Sequence, residues 1–308
     1  MNAFAYLVRR ETWEHKAIYR APLITAAVVI VVTLLALFKA SAQGFFTSEH
    51  IAIGLSANVF TPENIQVGSA IMFGVLYGLI FMVGAFVAVF YLLDCLYAER
   101  KNRSILFWKS LPISDTETVL AKLVTAGVLM PVFVLISGVA CWLIMQVIAA
   151  VTFGLLGGSG WLVLWQPEVL FTGIGVALKN STALLLWYLP FAGWFLLVSV
   201  WARRSVFLWA AAPPAIILFV ENWFGTHHFA NLLGDRLVGF KMQIRDSEVI
   251  RVFGSGADDA GGVTLLEAMS RMDSFSRLFS EPGLYGGILV AAAFVTGAIF
   301  LRRYRDET

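Results

Sequence analysis

Between Tyr97 and Lys122 the chain reads YAERKNRSILFWKSLPISDTETVLAK, a strongly basic, sharply punctuated stretch between two long apolar runs. Its residue types suit recognition rather than turnover. Glu99-Arg100 sets an acid beside a base, Arg103 and Lys109 add cations, and Ile105, Trp108 and Leu111 recur at helical spacing on roughly one face. An aromatic anchor ringed by cations can insert into a groove on a soluble protein. Equally, Trp108 can rest among lipid headgroups above a basic loop. Residue types alone leave both readings open.

Other chemistry is missing from the sequence. No GxxxxGK[ST] phosphate loop occurs; the nearest imitation, Gly173 to Asn180, has Leu178 where the second glycine must be. HExxH and GxSxG are absent too. His227-His228 is adjacent in sequence, so the two rings do not share a helix face, and no third ligand has metal spacing. Cys95 and Cys141 sit in or beside apolar runs and read as small packing residues. The expectation is a chain that is not an enzyme and holds no cofactor or metal of its own.

The elements that position the basic stretch follow from composition. The 308 residues are 59% hydrophobic and 14% charged, with a mean hydropathy of +0.80, too apolar for a soluble domain. The net charge of +2 says little about partners by itself, because in a membrane protein the distribution of charge carries the information, and nucleic acid is not an expected partner. A hydrocarbon core about 30 Å thick needs roughly 20 apolar residues per helix. Six runs qualify: Pro22 to Phe38, Val67 to Leu96, Val119 to Val151, Ala183 to Trp201, Ser205 to Trp223 and Gly283 to Leu301. Ala40-Ser41-Ala42 imitates a signal-peptidase site, but the first run is longer than a signal core and follows Glu11 and Glu14, so it is read as a retained span.

Placing both termini on the cytoplasmic side puts 14 of the 22 Lys and Arg inside, and leaves only Lys39 and Lys179 in the short outer loops. That distribution satisfies the positive-inside rule.

Along the chain, residues 1 to 20 mix Phe4, Leu7, Val8, Trp13 and Ile18 with basic residues and read as an interfacial helix that turns at Pro22 into the first span. Gly74 and Gly78 form a GxxxG in the second span, either a close helix contact or ordinary membrane glycine usage. Pro131 and Pro190 should bend the third and fourth spans. Pro213-Pro214 in the fifth either lines a pathway or kinks a packed helix. Gly154 to Thr182, with Trp161, Trp165 and Phe171, reads as an outer segment resting in the interface. The polar region from 224 to 282 reads as an external helical cap broken by Gly254-Ser255-Gly256 and Gly261-Gly262.

Within the basic stretch, Asn102 or Ser104 can cap a short helix, Pro112 ends it, and Ser114-Asp115-Thr116-Glu117 is a capping box opening the third span. The midsections of all six spans lack Asp, Glu, Lys, Arg and His, which argues against an ion-driven carrier. No charged ring suggests a passive channel either. The driving force for any pathway must come from elsewhere.

Glu99-Arg100, Leu106, Ser110-Leu111-Pro112, Ser114, Glu117 and Lys122 together resemble the cytoplasmic loop of ABC-2 type transporter permeases. The usual Gly-Thr-Leu of that loop stands here as Arg103-Ser104-Ile105. The resemblance implies one all-α permease domain over 1–308: an elbow helix over 1–20, a coupling loop over 97–118 and an extracytoplasmic loop over 224–282. It implies a bacterial inner-membrane location, a second permease copy as a homodimer or related heterodimer, and a separate ATP-binding cassette subunit that binds ATP and Mg. Contact with that subunit would fall on Glu99, Arg100, Arg103, Ile105, Trp108, Lys109 and Leu111. The expected function is ATP-driven transport, as an exporter; the alternative is a non-transporting membrane scaffold that recruits a soluble partner.

Overall fold

The computed structural model describes residues 3–44, 61–110, 113–155, 158–245 and 278–304, and among them the regular structure is helical, with no strand. Among the described residues six helices are long and apolar enough to cross a membrane. The first is α2 (Ala17–Ala42), preceded by a shorter α1 (Ala3–Glu14). The chain turns between them at His15-Lys16, so α2 starts five residues before Pro22, which lies inside it. The expected turn at Pro22 is therefore displaced toward the N-terminus. The cause is Ile18, fully buried among Tyr91, Leu92 and Leu96, which draws the residues before Pro22 into the bundle as helix.

Helix α3 (Pro62–Lys101) is built from explicit end signals: Thr61 accepts a hydrogen bond from Asn64 N, Pro62 occupies the first turn, and Arg100 and Lys101 sit in the last. Its 40 residues make about 60 Å at 1.5 Å per residue, twice a bilayer core. A short α4 (Ser104–Lys109) follows, then α5 (Asp115–Val124), capped by the expected Ser114/Glu117 box.

A π-helical turn, Thr125–Leu129, joins α5 to α6 (Met130–Leu155). Pro131 has no N–H for the usual helical ladder, and just ahead of it Met130 N–H reaches back five residues to Thr125 O. The expected bend at Pro131 takes the form of this turn.

After α7 (Gly160–Leu164) comes α8 (Pro167–Trp201), which starts well before Ala183 and absorbs Phe171 and Lys179 into one helix. Buried Val169, Gly173, Ala177 and Ser181 recur every four residues, and this stripe packs on α3. Gly173 meets the Phe73 ring there, and Ser181 shares a short hydrogen bond with Tyr77. The outer segment expected over Gly154 to Thr182 is thus largely membrane-length helix.

Helix α9 (Val206–Phe224) runs through Pro213 and Pro214. Pro214 cannot donate to Ala210 O, and Trp194 Nε1–H of α8 supplies that bond at 3.1 Å. Helix α10 (His228–Arg245) is capped by Glu221, whose carboxylate accepts from Phe229 N at 2.6 Å and Ala230 N at 2.9 Å. It docks on α8 through Trp187 Nε1–H to Arg236 O at 2.8 Å, with the Arg236 guanidinium over the Trp187 ring. Residues 246–277, where the glycine-broken second part of the cap was expected, lie outside the described residues. The chain resumes in α11 (Pro282–Tyr304).

Among the described residues the core has two main clusters. One joins Phe73, Ile80, Val134, Trp142 and Met145; the other joins Tyr91, Leu96, Val119, Met130, Leu196 and Ala298. Close backbone approach occurs at Gly84, where an added Cβ would lie 2.5 Å from Val134, and at Gly193, 3.0 Å from Ala291 O. Gly74 and Gly78 instead face open space within the chain.

Candidate functional site

Helices α1, α3, α5 and α11 converge at one end of the bundle and bury a lattice of charge between them. Lys122 is its centre. It stands where α5 passes into the core, fully enclosed, and its ammonium lies 2.9 Å from both Glu11 Oε1 and Glu99 Oε1. Arg10 Nη2 donates to the same two carboxylates at 2.8 and 2.9 Å. Arg302 spans from Glu99 Oε2 at 2.7 Å to Asp115 Oδ1 at 2.9 Å. Tyr91 OH donates to Glu11 Oε2 at 2.8 Å.

Three cations therefore balance the three carboxylates Glu11, Glu99 and Asp115, with exposed Glu14 pairing with Arg10 at the edge. Burying any one of these ions alone would be costly, and the pairing offsets that cost only while every member is present. Burial would raise the Glu11 carboxyl, but the Lys122 ammonium, its hydrogen bond and that of Tyr91 hold it below the ordinary carboxylate range. His15, half-buried with its ring edge on Tyr91, is pushed down by the same loss of water. An ammonium bracketed by two carboxylates reads as a structural cation rather than a nucleophile.

Glu11, Glu14 and His15 bring ligand atoms within 4.8 Å of one another, a spacing that can hold a metal ion. Glu11 is already engaged by Lys122, Arg10 and Tyr91, and Arg10 also faces Glu14 at 3.3 Å. A cation placed there would meet an arginine, so the donors do not fit a metal.

The lattice holds the basic stretch in place. Arg100 Nη2 donates to Ser199 O and Ala202 O, both at 2.7 Å, which ties the end of α3 to the end of α8. Asn102 serves as the C-cap of α3 rather than the N-cap of α4. Arg103 turns the corner with φ 56°, in the left-handed region that glycine adopts most easily. It stands where the resembled loop usually has glycine. Ser104 Oγ then donates to Glu99 O at 3.2 Å.

On α4, Ile105 is 3% exposed, seated in a crevice lined by Leu96, Val200 and Leu301, whereas Phe107 is 59% exposed. Trp108 is half-buried, its ring stacked under the Arg10 guanidinium at 3.8 Å. The expected contact residues thus divide: Glu99 and Ile105 face the bundle, Arg100 clasps α8, Trp108 stacks on Arg10, and Arg103 faces outward, as does Phe107, which was not among those expected. Lys109 lies in α4, and Leu111 is outside the described residues. The candidate pathway prolines are spread over three helices, with Pro131 in α6, Pro190 in α8 and the Pro213-Pro214 pair in α9.

Sequence reasoning missed Arg10, Glu11, Tyr91, Asp115 and Arg302 as members of one site. Asp115 and Arg302 sit within a few residues of an apolar run's end and Arg10 and Glu11 in the polar segment before the first run, where a charge normally reaches water, and only the packing shows that these point inward. The available signal was Lys122, several residues inside its apolar run and in need of a partner.

The chain matches no protein-family model, no curated protein and no solved structure.

Proposed function

We propose that this chain is the membrane subunit of an ATP-driven transporter of the ABC-2 permease type, working with a separate ATP-binding subunit, with both termini on the cytoplasmic side. One observation carries this reading: α4 is a short helix displayed at the basic end, with Ile105 buried as its root and Phe107 exposed as its tip. Its root is fixed to three membrane helices at once. Glu99 binds Lys122 of α5 and Arg302 of α11, while Arg100 binds the end of α8. A push on α4 would be delivered to those spans rather than absorbed in a loop.

In this reading Arg103 and Phe107 touch the partner, and Glu99, Arg100, Ile105 and Trp108 position them. The motor supplies ATP and Mg chemistry; this chain supplies the pathway. The outward Gly74/Gly78 face of α3 and the largely exposed α9 offer surface for a second copy. Transport in the outward direction rests on the resemblance alone. Reconstitution with the ATP-binding subunit tests the reading: substrate-stimulated ATPase supports a transporter, whereas stable binding with no stimulation by any substrate supports the scaffold alternative.

A further inference from the structure

The lattice has a second effect, on the outer face of α1. It draws Arg10 and Glu11 inward, at 6% and 1% exposure, and leaves Tyr6, Arg9 and Trp13 outward on the opposite side. The Arg9 guanidinium lies over the Trp13 ring at 4.9 Å. Lys16 and Arg20, at the turn and start of α2, are also exposed. Glu14, the acid at the edge of this face, faces Arg10 at 3.3 Å. The exposed face is thus aromatic and cationic, and it joins directly to a membrane-length helix that starts three residues after α1 ends.

We propose that Tyr6, Arg9, Trp13, Lys16 and Arg20 form a site for anionic phospholipid headgroups. Aromatic side chains settle at headgroup depth, and each cation near an anionic leaflet adds roughly 1 kcal/mol of attraction. The immediate continuation into α2 fixes the occupant as the lipid of the leaflet rather than a soluble phosphate. The face would hold lipid whether or not a motor subunit docks at α4.

Brominated lipids quench tryptophan on contact and provide the test. The full chain is reconstituted with brominated phosphatidylglycerol or brominated phosphatidylcholine, and the Trp13 contribution is taken as the difference from Trp13→Phe. Quenching of Trp13 should favour the anionic lipid, with the preference falling about five-fold for each of Arg9→Gln, Lys16→Gln and Arg20→Gln, as 1 kcal/mol per charge requires. Quenching by the neutral lipid should persist in the triple variant, which shows that α1 is still folded onto the leaflet. Equal quenching by both lipids, or a preference that survives the triple variant, overturns the proposal. So does a Trp13 quenched by neither lipid, which would place another occupant on this face.

Discussion

Lys122 Nζ lies 2.9 Å from Glu99 Oε1, joining the first turns of the third membrane helix to the last turns of the second, inside a site that water does not reach. Around this pair, Arg10, Glu11, Arg302 and Asp115 complete a neutral set. A neutral set has a distinctive mutational signature.

Lys122→Met removes one cation and leaves excess negative charge enclosed, at a cost of about 3–5 kcal/mol. Lys122→Met with Glu11→Gln restores the balance and should recover a large part of that loss. Thermal unfolding of the detergent-solubilised chain, followed by size-exclusion fluorescence, reads both. A double variant no better than Lys122→Met would show that individual hydrogen bonds matter more than net charge.

Arg103 pays for its left-handed backbone with about 1 kcal/mol. Arg103→Gly should therefore raise the melting temperature, while Arg103→Val should lower it. The same glycine variant separates the backbone role of this residue from its charge: impaired ATPase coupling in a more stable protein would assign the guanidinium to the partner contact.

Trp108→Ala deletes the stack on Arg10, a contact of about 0.5–2 kcal/mol. Trp108→Phe should retain part of it. Stability should fall modestly in the alanine variant, but substrate-stimulated ATPase in the reconstituted complex should fall several-fold, because α4 would lose its tie to α1. Stimulation unchanged in Trp108→Ala would remove Trp108 from the transmission route.

Acid should loosen this end of the bundle in two stages. His15 is held below its ordinary value of 6.5, so the unfolded chain takes up that proton first and stability begins to drop below about pH 6.5. Glu11 is held below 4.5, so its contribution is complete above pH 4.5 and is lost as pH falls through its folded value. Glu14 is raised by partial burial and works in the opposite sense, protonating more readily in the folded chain. Melting temperature against pH should show the upper stage vanish in His15→Gln.

Much of the architecture was legible because a membrane span is written in length and apolarity, and the Ser114/Glu117 cap in a local motif. The short α4 was likewise readable from the candidate cap Ser104 and the stop at Pro112. The start of α8 was obscured by its glycines and tryptophans, although the four-residue recurrence of Val169, Gly173, Ala177 and Ser181 marks a packed face. The lattice was hidden for a different reason. Glu11, Asp115 and Arg302 are far apart in sequence and each looks like an end-of-helix charge, so their partnership depends on tertiary packing that no local pattern encodes.

The proposed contact between α4 and an ATP-binding subunit is most directly tested with a photo-crosslinking residue in place of Phe107, introduced into the full chain in cells, with a second at Trp13 as reference. Mass spectrometry of the adducts should find an ATP-binding cassette protein joined at position 107 and not at position 13. An adduct pattern in which position 107 captures only lipid, or captures soluble proteins without an ATP-binding site, would contradict the transporter reading.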